Sequence, residues 1–218
     1  MSVNDTAHRP LVTRRRILLL TTFVYATLTL LGLGWAASRG RPWLFVHPHP
    51  WLALSAPWDV VGSLGAGVAL AGLTLVATRA LVTRSRWGRE LHLAFREIVG
   101  GLDGVAVLAL ALASGIGEEV FFRGALQPSL GLVPTSILFG LLHIGPDRRF
   151  LMWTPWALLM GLLLGVMYEA TGSLYGCVLA HVAINYENLQ FIRSHDPRAP
   201  SSSDPPAGPR LVSREERR

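Results

Sequence analysis

The chain has 218 residues, of which 50% are hydrophobic and 16% are charged, whereas soluble domains carry about 25% charged residues. The charges concentrate at the two ends and in one middle segment, with long uncharged stretches between them. This distribution excludes an ordinary soluble domain and predicts an all-α, polytopic membrane helical bundle. The net charge is +6. Because the arginines flank apolar runs, we assign them to membrane orientation and predict no nucleic-acid binding.

Two uncharged runs precede the charged middle segment. The first covers roughly residues 17–37 and follows the three arginines at 14–16. It is longer than a signal-peptide core of about 7–15 residues, so we interpret it as a retained anchor rather than a cleaved signal. The second covers about residues 58–81. Together they define an N-terminal two-span anchor region with a loop, residues 1–82.

The middle segment, residues 83–99, mixes apolar and charged side chains. Two interpretations stay open at this point. The segment is either an amphipathic helix that lies in the membrane interface or a simple polar connector. With the first interpretation, the predicted fold has about six transmembrane helices plus one interfacial amphipathic helix.

The remaining spans are predicted at about residues 103–128, 131–144, 150–168 and 173–192. The second of these is short for a full crossing, so it has to be tilted or shielded by protein. Nearly all arginines outside the spans fall on one face of the six-span arrangement, which predicts that both termini are cytoplasmic. The Arg-rich, Lys-free composition favours a bacterial inner membrane. Residues 194–218, rich in Pro, Ser and Arg, are predicted to form a disordered cytoplasmic tail.

Two adjacent carboxylates follow fourteen uncharged residues in the third span. Glu118 and Glu119 are therefore expected inside the bilayer, where an ionisable group costs about 2.5–3.5 kcal/mol. Glu119 and Arg123 are four residues apart and can form an ion pair on one helix face. Glu118 points about 100° away. It is the free carboxylate, suited to be a general base, unless the group is a purely structural charge cluster.

Later spans add a second set of polar residues at four-residue spacing. Phe139 precedes His143, and His181 precedes Asn185. Imidazole and amide N–H groups can stabilise a developing oxyanion, although membrane helices also use such groups for interhelical hydrogen bonds. Together with a free carboxylate, these groups are what attack of water on an amide requires.

The complete motif set resembles that of the CPBP family, also called Abi, which comprises type II CAAX prenyl endopeptidases and bacteriocin-processing enzymes. The resemblance rests on Glu118-Glu119-x-x-x-Arg123, Phe139-x-x-x-His143 and His181-x-x-x-Asn185. It covers about residues 85–193, so we group residues 83–193 as a catalytic intramembrane core. The resemblance implies an intramembrane endopeptidase that acts on membrane-associated proteins or peptides.

The resemblance also implies a role for each motif residue. Glu118 is expected to activate the attacking water with the help of His143. His181 and Asn185 are expected to stabilise the tetrahedral oxyanion. Three further residues are expected to bind the substrate or support the site: Glu119, Arg123 and Phe139.

Metal dependence and two rival functions stay open. Glu118, His143 and His181 would supply three ligands for Zn²⁺, but the chain has no His-Glu-x-x-His, so we favour a metal-free mechanism with zinc as the alternative. The rivals are a non-proteolytic membrane scaffold or immunity protein of the same fold, and a proton-coupled carrier. The expected partners are membrane lipid and a membrane-anchored protein or peptide, and no oligomeric state is assigned.

Overall fold

The computed structural model describes residues 14–41 and 43–198. Its elements are α1 Arg14–Ser38, α2 Trp58–Arg84, α3 Arg86–Val99, α4 Gly104–Glu119, a π-helical segment Val120–Leu126, α5 Gln127–Leu130, α6 Leu132–Leu141, a 3-10 turn Arg148–Phe150, α7 Trp153–Thr171 and α8 Tyr175–Ser194. These ranges contain no strand, only one isolated bridge between Val46 and Ser173. The all-α prediction is confirmed. Most of the predicted tail, 194–218, lies outside the described residues.

Four helical stretches are long and apolar enough to cross a membrane: Arg14–Ser38, Trp58–Arg84, Gly104–Leu130 and Arg148–Thr171. Large apolar side chains on these stretches face outward, among them Phe23, Leu73 and Val105. Exposed apolar surface of this extent is unfavourable in water and suits lipid. The chain is therefore an integral membrane protein.

Two predicted spans differ from these four. Helix α6 has ten residues and is about 15 Å long, half of a hydrocarbon core of about 30 Å. Helix α8 has twenty residues, but its polar side chains, from His181 to Arg193, lower its hydropathy. The structure thus supports four spans on length and composition, and the count of six stays a prediction.

The middle segment is helical, as one of its two interpretations predicted. Ser85 caps the first turn of α3, because its hydroxyl accepts a hydrogen bond from the Gly88 amide at 3.1 Å. One face of α3 packs inward against α2 and α8, and its buried residues include His92, Ala94 and Val99. The simple connector is therefore wrong, and the position of α3 in the membrane interface stays a prediction.

Helix α8 lies at the centre of the bundle, where it packs against α2 and α4. At the contact with α2, the backbones of the two helices come close together. The Ser63 hydroxyl donates to the Ser173 carbonyl at 2.8 Å and accepts from the Gly176 amide at 2.9 Å. Gly67 of α2 faces the Gly176 backbone directly. Small residues permit this close approach, and they fix the position of the polar residues further along α8.

The glycine contact predicts a specific weakness. In Gly176→Ala the new Cβ would overlap the Ser63 carbonyl group, so α8 must shift, and overpacking of this kind costs about 1–3 kcal/mol or more. We expect a lower midpoint of thermal unfolding in detergent. Gly72→Ala is the matched control, because a Cβ at Gly72 meets open space. Equal midpoints for the two variants would contradict the proposed packing.

Candidate functional site

The predicted polar residues from three parts of the chain meet in one place. Glu118 lies near the end of α4, His143 follows α6, and His181 lies in α8. The Glu118 Oε2 atom is 3.7 Å from Nε2 of His143 and 3.7 Å from Nε2 of His181. Glu118 is 6% exposed, and its Oε2 has no hydrogen-bond partner among the described residues. A buried carboxylate oxygen therefore faces two imidazole rings.

His143 is held by its own helix. Its Nδ1 lies 2.6 Å from the Phe139 carbonyl oxygen, and because a carbonyl only accepts, Nδ1 carries the hydrogen. In the neutral ring, Nε2 then presents a lone pair toward Glu118. The rings of Phe139 and Trp153 lie 4.5 Å and 5.1 Å from the imidazole. The Phe139–His143 spacing thus positions the imidazole through both a carbonyl and a ring.

His181 is held by the Glu119–Arg123 pair. Glu119 Oε1 accepts hydrogen bonds from Arg123 Nη1 at 2.9 Å and from His181 Nδ1 at 2.7 Å. Arg123 also donates to the Gly161 carbonyl at 3.2 Å, and its guanidinium lies 4.4 Å from the centroid of the Phe139 ring. Glu119 and Arg123 are 0% and 1% exposed. The predicted ion pair is confirmed, and its geometry orients His181.

A π-helical segment connects this pair to α5. It covers Val120–Leu126, and the Gln127 amide bonds back to the Phe122 carbonyl. Such turns are rare and occur frequently at functional sites. Here the segment begins immediately after Glu119 and contains Arg123. The sequence reasoning missed it, because a single π turn leaves no periodic signal in a predominantly apolar helix.

Asn185 pairs with a residue that the sequence reasoning missed. Its Nδ2 donates to the Ser114 hydroxyl oxygen at 2.9 Å, and that hydroxyl donates to the Leu110 carbonyl at 2.8 Å. Ser114 lies one turn before Glu118 on α4. Ser114 is four residues before Glu118, and this spacing was the feature of the sequence from which a position near the site could have been predicted. One N–H of Asn185 is used in this bond, and the second is available for a ligand.

The site opens into a cavity of about 350 Å³. Glu118, His143, His181 and Asn185 line it, whereas Glu119 and Arg123 do not. The remaining lining is mainly apolar and aromatic, and includes Trp87, Leu91, Phe95, Trp153, Trp156 and Leu189. The inward face of α3 supplies the first three of these. The cavity therefore suits an apolar chain that is presented to a few polar groups.

A cation at the cavity wall was also missed. Arg79 of α2 is the one arginine or lysine among the described residues that line the cavity. Its Nη1 donates to the Asn188 Oδ1 at 2.6 Å, and its guanidinium lies 3.9 Å from the centroid of the Phe191 ring. Asn188 lies seven residues after His181, and so on the same face of α8. The polar groups thus continue along α8 beyond Asn185.

Comparison with known proteins finds a family match over part of the chain. Residues 101–186 match the family described as type II CAAX prenyl endopeptidase Rce1-like. This segment is similar to the Rce1-like family. The predicted family resemblance is confirmed there, and the segment contains every motif residue from Glu118 to Asn185. At the level of the family, the match supports a CAAX-type intramembrane protease.

A curated relative matches part of the same chain. The uncharacterized protein YpbD of Bacillus subtilis (strain 168) is 35% identical over 79 residues, which are 36% of this chain and 41% of YpbD. The chain therefore spans about two fifths of the length of the curated relative it matches. No solved structure matches.

The buried ion pair predicts a large effect on stability. Arg123→Met would leave Glu119 without its cation in a fully buried position, and breaking a buried pair in this way costs about 3–5 kcal/mol. Arg86→Met is the matched control. Arg86 also pairs with a glutamate four residues away, Glu90 at 2.8 Å, but its side chain is 92% exposed, and exposed pairs contribute little. Thermal unfolding in detergent should show a large loss for the first variant and little change for the second.

Proposed function

We propose that this protein is an intramembrane endopeptidase that hydrolyses a peptide bond in membrane-anchored proteins or peptides. The observation that carries the proposal is the Glu118 Oε2 atom, which is buried without a hydrogen-bond partner and lies 3.7 Å from two imidazole nitrogens. The cavity beside it has room for a peptide segment.

The first step is activation of a water molecule. A separation of 3.7 Å is too long for a direct hydrogen bond, but it suits two groups that share a bridging water. The Glu118 carboxylate and the lone pair of His143 Nε2 are both acceptors, and water supplies two donors. Glu118 acts as the general base, and His143 orients the water.

His181 has a different role from His143, and the charge balance of the site is the reason. Glu118, Glu119 and Arg123 together carry a net charge of −1, and an uncompensated buried charge is strongly unfavourable. A protonated His181 makes the site neutral. Its Nδ1–H donates to Glu119, and its Nε2–H points into the cavity beside Glu118.

The tetrahedral intermediate completes the scheme. Glu118 takes one proton from water as the water oxygen bonds to the carbonyl carbon. The carbonyl oxygen becomes an oxyanion that accepts hydrogen bonds from His181 Nε2–H and from the second N–H of Asn185. When the C–N bond breaks, Glu118 returns its proton to the departing amine. Protons and charge are balanced at the end of the cycle.

Zinc held by Glu118, His143 and His181 is the alternative way to activate the water. Zinc bonds of about 2.0–2.2 Å at tetrahedral angles separate two ligand atoms by roughly 3.4 Å, close to the distances around Glu118. However, the described residues contain no group of three or more His, Cys, Asp or Glu side chains that could hold a metal ion. A protonated His181 also has no lone pair for a metal. We therefore route no step of the proposed mechanism through a metal.

Several contacts support the proposed orientation, with both termini in the cytoplasm of a bacterial inner membrane. Arg14, at the start of α1, bonds Asp103, which caps α4, at 3.0 Å. Arg96 of α3 donates to the Ile192 and Arg193 carbonyls at the end of α8. The arginine-rich ends of α1, α3 and α8 therefore lie on one side of the bundle, as the positive-inside rule requires.

The general base is tested by Glu118→Gln. Removing a general base lowers the rate by about 10²–10⁴-fold. We expect terminal proteomics of membranes to find protein termini that are produced by the wild type and lost in E118Q. Reaction of purified protein in proteoliposomes and H₂¹⁸O should then place ¹⁸O in the new C-terminal carboxylate. Glu187→Gln is the matched control, because Glu187 is exposed on the same helix as Asn185.

Two results would contradict the assignment. Termini that are identical in the wild type and E118Q would show that Glu118 has no part in proteolysis. If cells that carry E118Q keep a phenotype that depends on this protein, and if thermal unfolding is unchanged, the scaffold or immunity role is favoured, because that role needs only the fold.

Metal removal tests the proposed chemistry separately. We expect the processing rate in proteoliposomes to be unchanged after dialysis against 1,10-phenanthroline, because Glu118 and His143 activate water without a metal. Elemental analysis of the purified protein serves as the second readout. Loss of activity on chelation, restored by stoichiometric Zn²⁺, would establish the zinc mechanism instead.

A further inference from the structure

The cavity holds a positive charge at a distance from the proposed reacting groups. Arg79 of α2 and Asn188 of α8 both line it, and Arg79 Nη1 donates to Asn188 Oδ1 at 2.6 Å. Asn188 is seven residues after His181, so its backbone lies about 10 Å further along α8. The cavity therefore has two polar ends, one with the imidazoles and one with a guanidinium.

The donors at this second end outnumber the acceptors that they contact. A guanidinium has five N–H groups. Those of Arg79 bond Asn188 at 2.6 Å, Thr78 at 3.5 Å and the Glu187 carbonyl at 2.9 Å, which leaves two N–H groups without an acceptor in the part of the chain that the structure describes. Asn188 Oδ1 accepts from Arg79 and Thr78, and its amide N–H groups have no acceptor in that part either. Both side chains can therefore donate to a ligand in the cavity.

The charge of Arg79 is also unbalanced. No carboxylate within residues 14–41 and 43–198 forms an ion pair with it. The Phe191 ring, 3.9 Å from the guanidinium, attracts the cation but supplies no counter-charge. Leu189 and Ile192 add apolar lining nearby. A cation in such surroundings is stabilised by a hydrogen-bonded anion, and the anion that an unmodified peptide carries at neutral pH is a carboxylate.

We propose that Arg79 and Asn188 form a specificity subsite that binds a carboxylate of the bound peptide, about 10 Å from the scissile bond. The inference rests on the proposed function, which places the scissile carbonyl at His181 and Asn185. Arg79 supplies the charge, and Asn188 orients the guanidinium through Oδ1 and donates through its amide. Both residues lie outside residues 101–186, the segment that matches the Rce1-like family, so the subsite goes beyond what that match covers.

The test uses the cleavage sites that terminal proteomics finds in the wild type and not in E118Q. Synthetic peptides that span these sites are compared in proteoliposomes with neutral forms, in which either an acidic side chain becomes its amide or the C-terminal carboxylate becomes a carboxamide. Hydrogen bonds to charged groups favour binding by about tenfold to a hundredfold. We expect the wild type to prefer the charged peptide by that factor in kcat/KM, and the neutral form that loses turnover identifies the source of the carboxylate.

Three variants separate the charge from the packing of α2 on α8. Arg79→Gln keeps a donor for Asn188 but removes the charge, and Asn188→Asp gives Arg79 an internal carboxylate. Both should bring the ratio of charged to neutral turnover close to one, whereas Arg79→Lys should keep part of it. Arg96→Gln is the matched control, because Arg96 also donates to α8, at the Ile192 and Arg193 carbonyls, but does not line the cavity. Its ratio should equal that of the wild type.

Binding without turnover gives a second readout. The same peptides, carrying a photoreactive leucine, are crosslinked to the E118Q protein, and the yield at increasing peptide concentration gives the Kd. Adding Arg79→Gln to this variant should weaken binding of the charged peptide by about tenfold to a hundredfold. The Kd of the neutral peptide should not change.

The outcomes keep the two proposals apart. If E118Q cleaves the peptides like the wild type, the proposed function fails. If E118Q is inactive but the cleavage sites carry no carboxylate at this distance, or Arg79→Gln keeps the preference for charge, the inference about Arg79 is overturned. Equal losses for charged and neutral peptides would overturn it in favour of a packing role. A loss that follows the phosphatidylglycerol content of the vesicles, and not the charge of the peptide, would assign Arg79 to a lipid phosphate instead.

Discussion

The structure depends on one buried carboxylate with two partners. Glu119 Oε1 accepts from Arg123 at 2.9 Å and from His181 at 2.7 Å, and no part of Glu119 is exposed. A glutamate in this position is tolerable only when it is paired and hydrogen-bonded. Its two bonds tie the π-helical segment to α8, so the same interaction that neutralises the charge also sets the ring of His181 against Glu118.

Glu118 and Glu119 meet two separate requirements that a single residue could not meet. Glu119 orients His181 through one oxygen that accepts from two partners, whereas the proposed base, Glu118, needs an oxygen free for water. A step of about 100° around the helix separates these environments: Glu119 points into the bundle and Glu118 into the cavity. Water must reach that cavity, because the bilayer core supplies none. Helix α3 closes the cavity with an aromatic face, and its opposite face carries Arg86 and Glu90, which suits the boundary between lipid and water.

Local spacing predicted the part of the site that lies within single helices. The Glu119–Arg123 pair, the Phe139–His143 contact and the position of His181 and Asn185 on one face follow from four-residue intervals, and the helix bounds follow from apolar runs. The partners across helices could not be predicted in this way. Ser114 and Asn185 are 71 residues apart, and Arg79 and Asn188 are 109 apart; their contacts depend on crossing angles that backbone contacts such as Gly67 on Gly176 decide. A π turn also escapes a method that assumes 3.6 residues per turn.

The segment that matches the Rce1-like family supplies only part of the cavity lining. Residues 101–186 contain the carboxylates, the imidazoles and the amide, yet the cavity they face is completed by Tyr25 from α1, by Arg79 from α2 and by the aromatic face of α3. In the proposed mechanism the matched segment supplies the reacting groups, whereas the preceding helices line part of the cavity in which a substrate would lie. For this chain, the selectivity should follow from an apolar, aromatic cavity with a single cation at its wall, because those are the groups that a bound peptide would contact beyond the scissile bond.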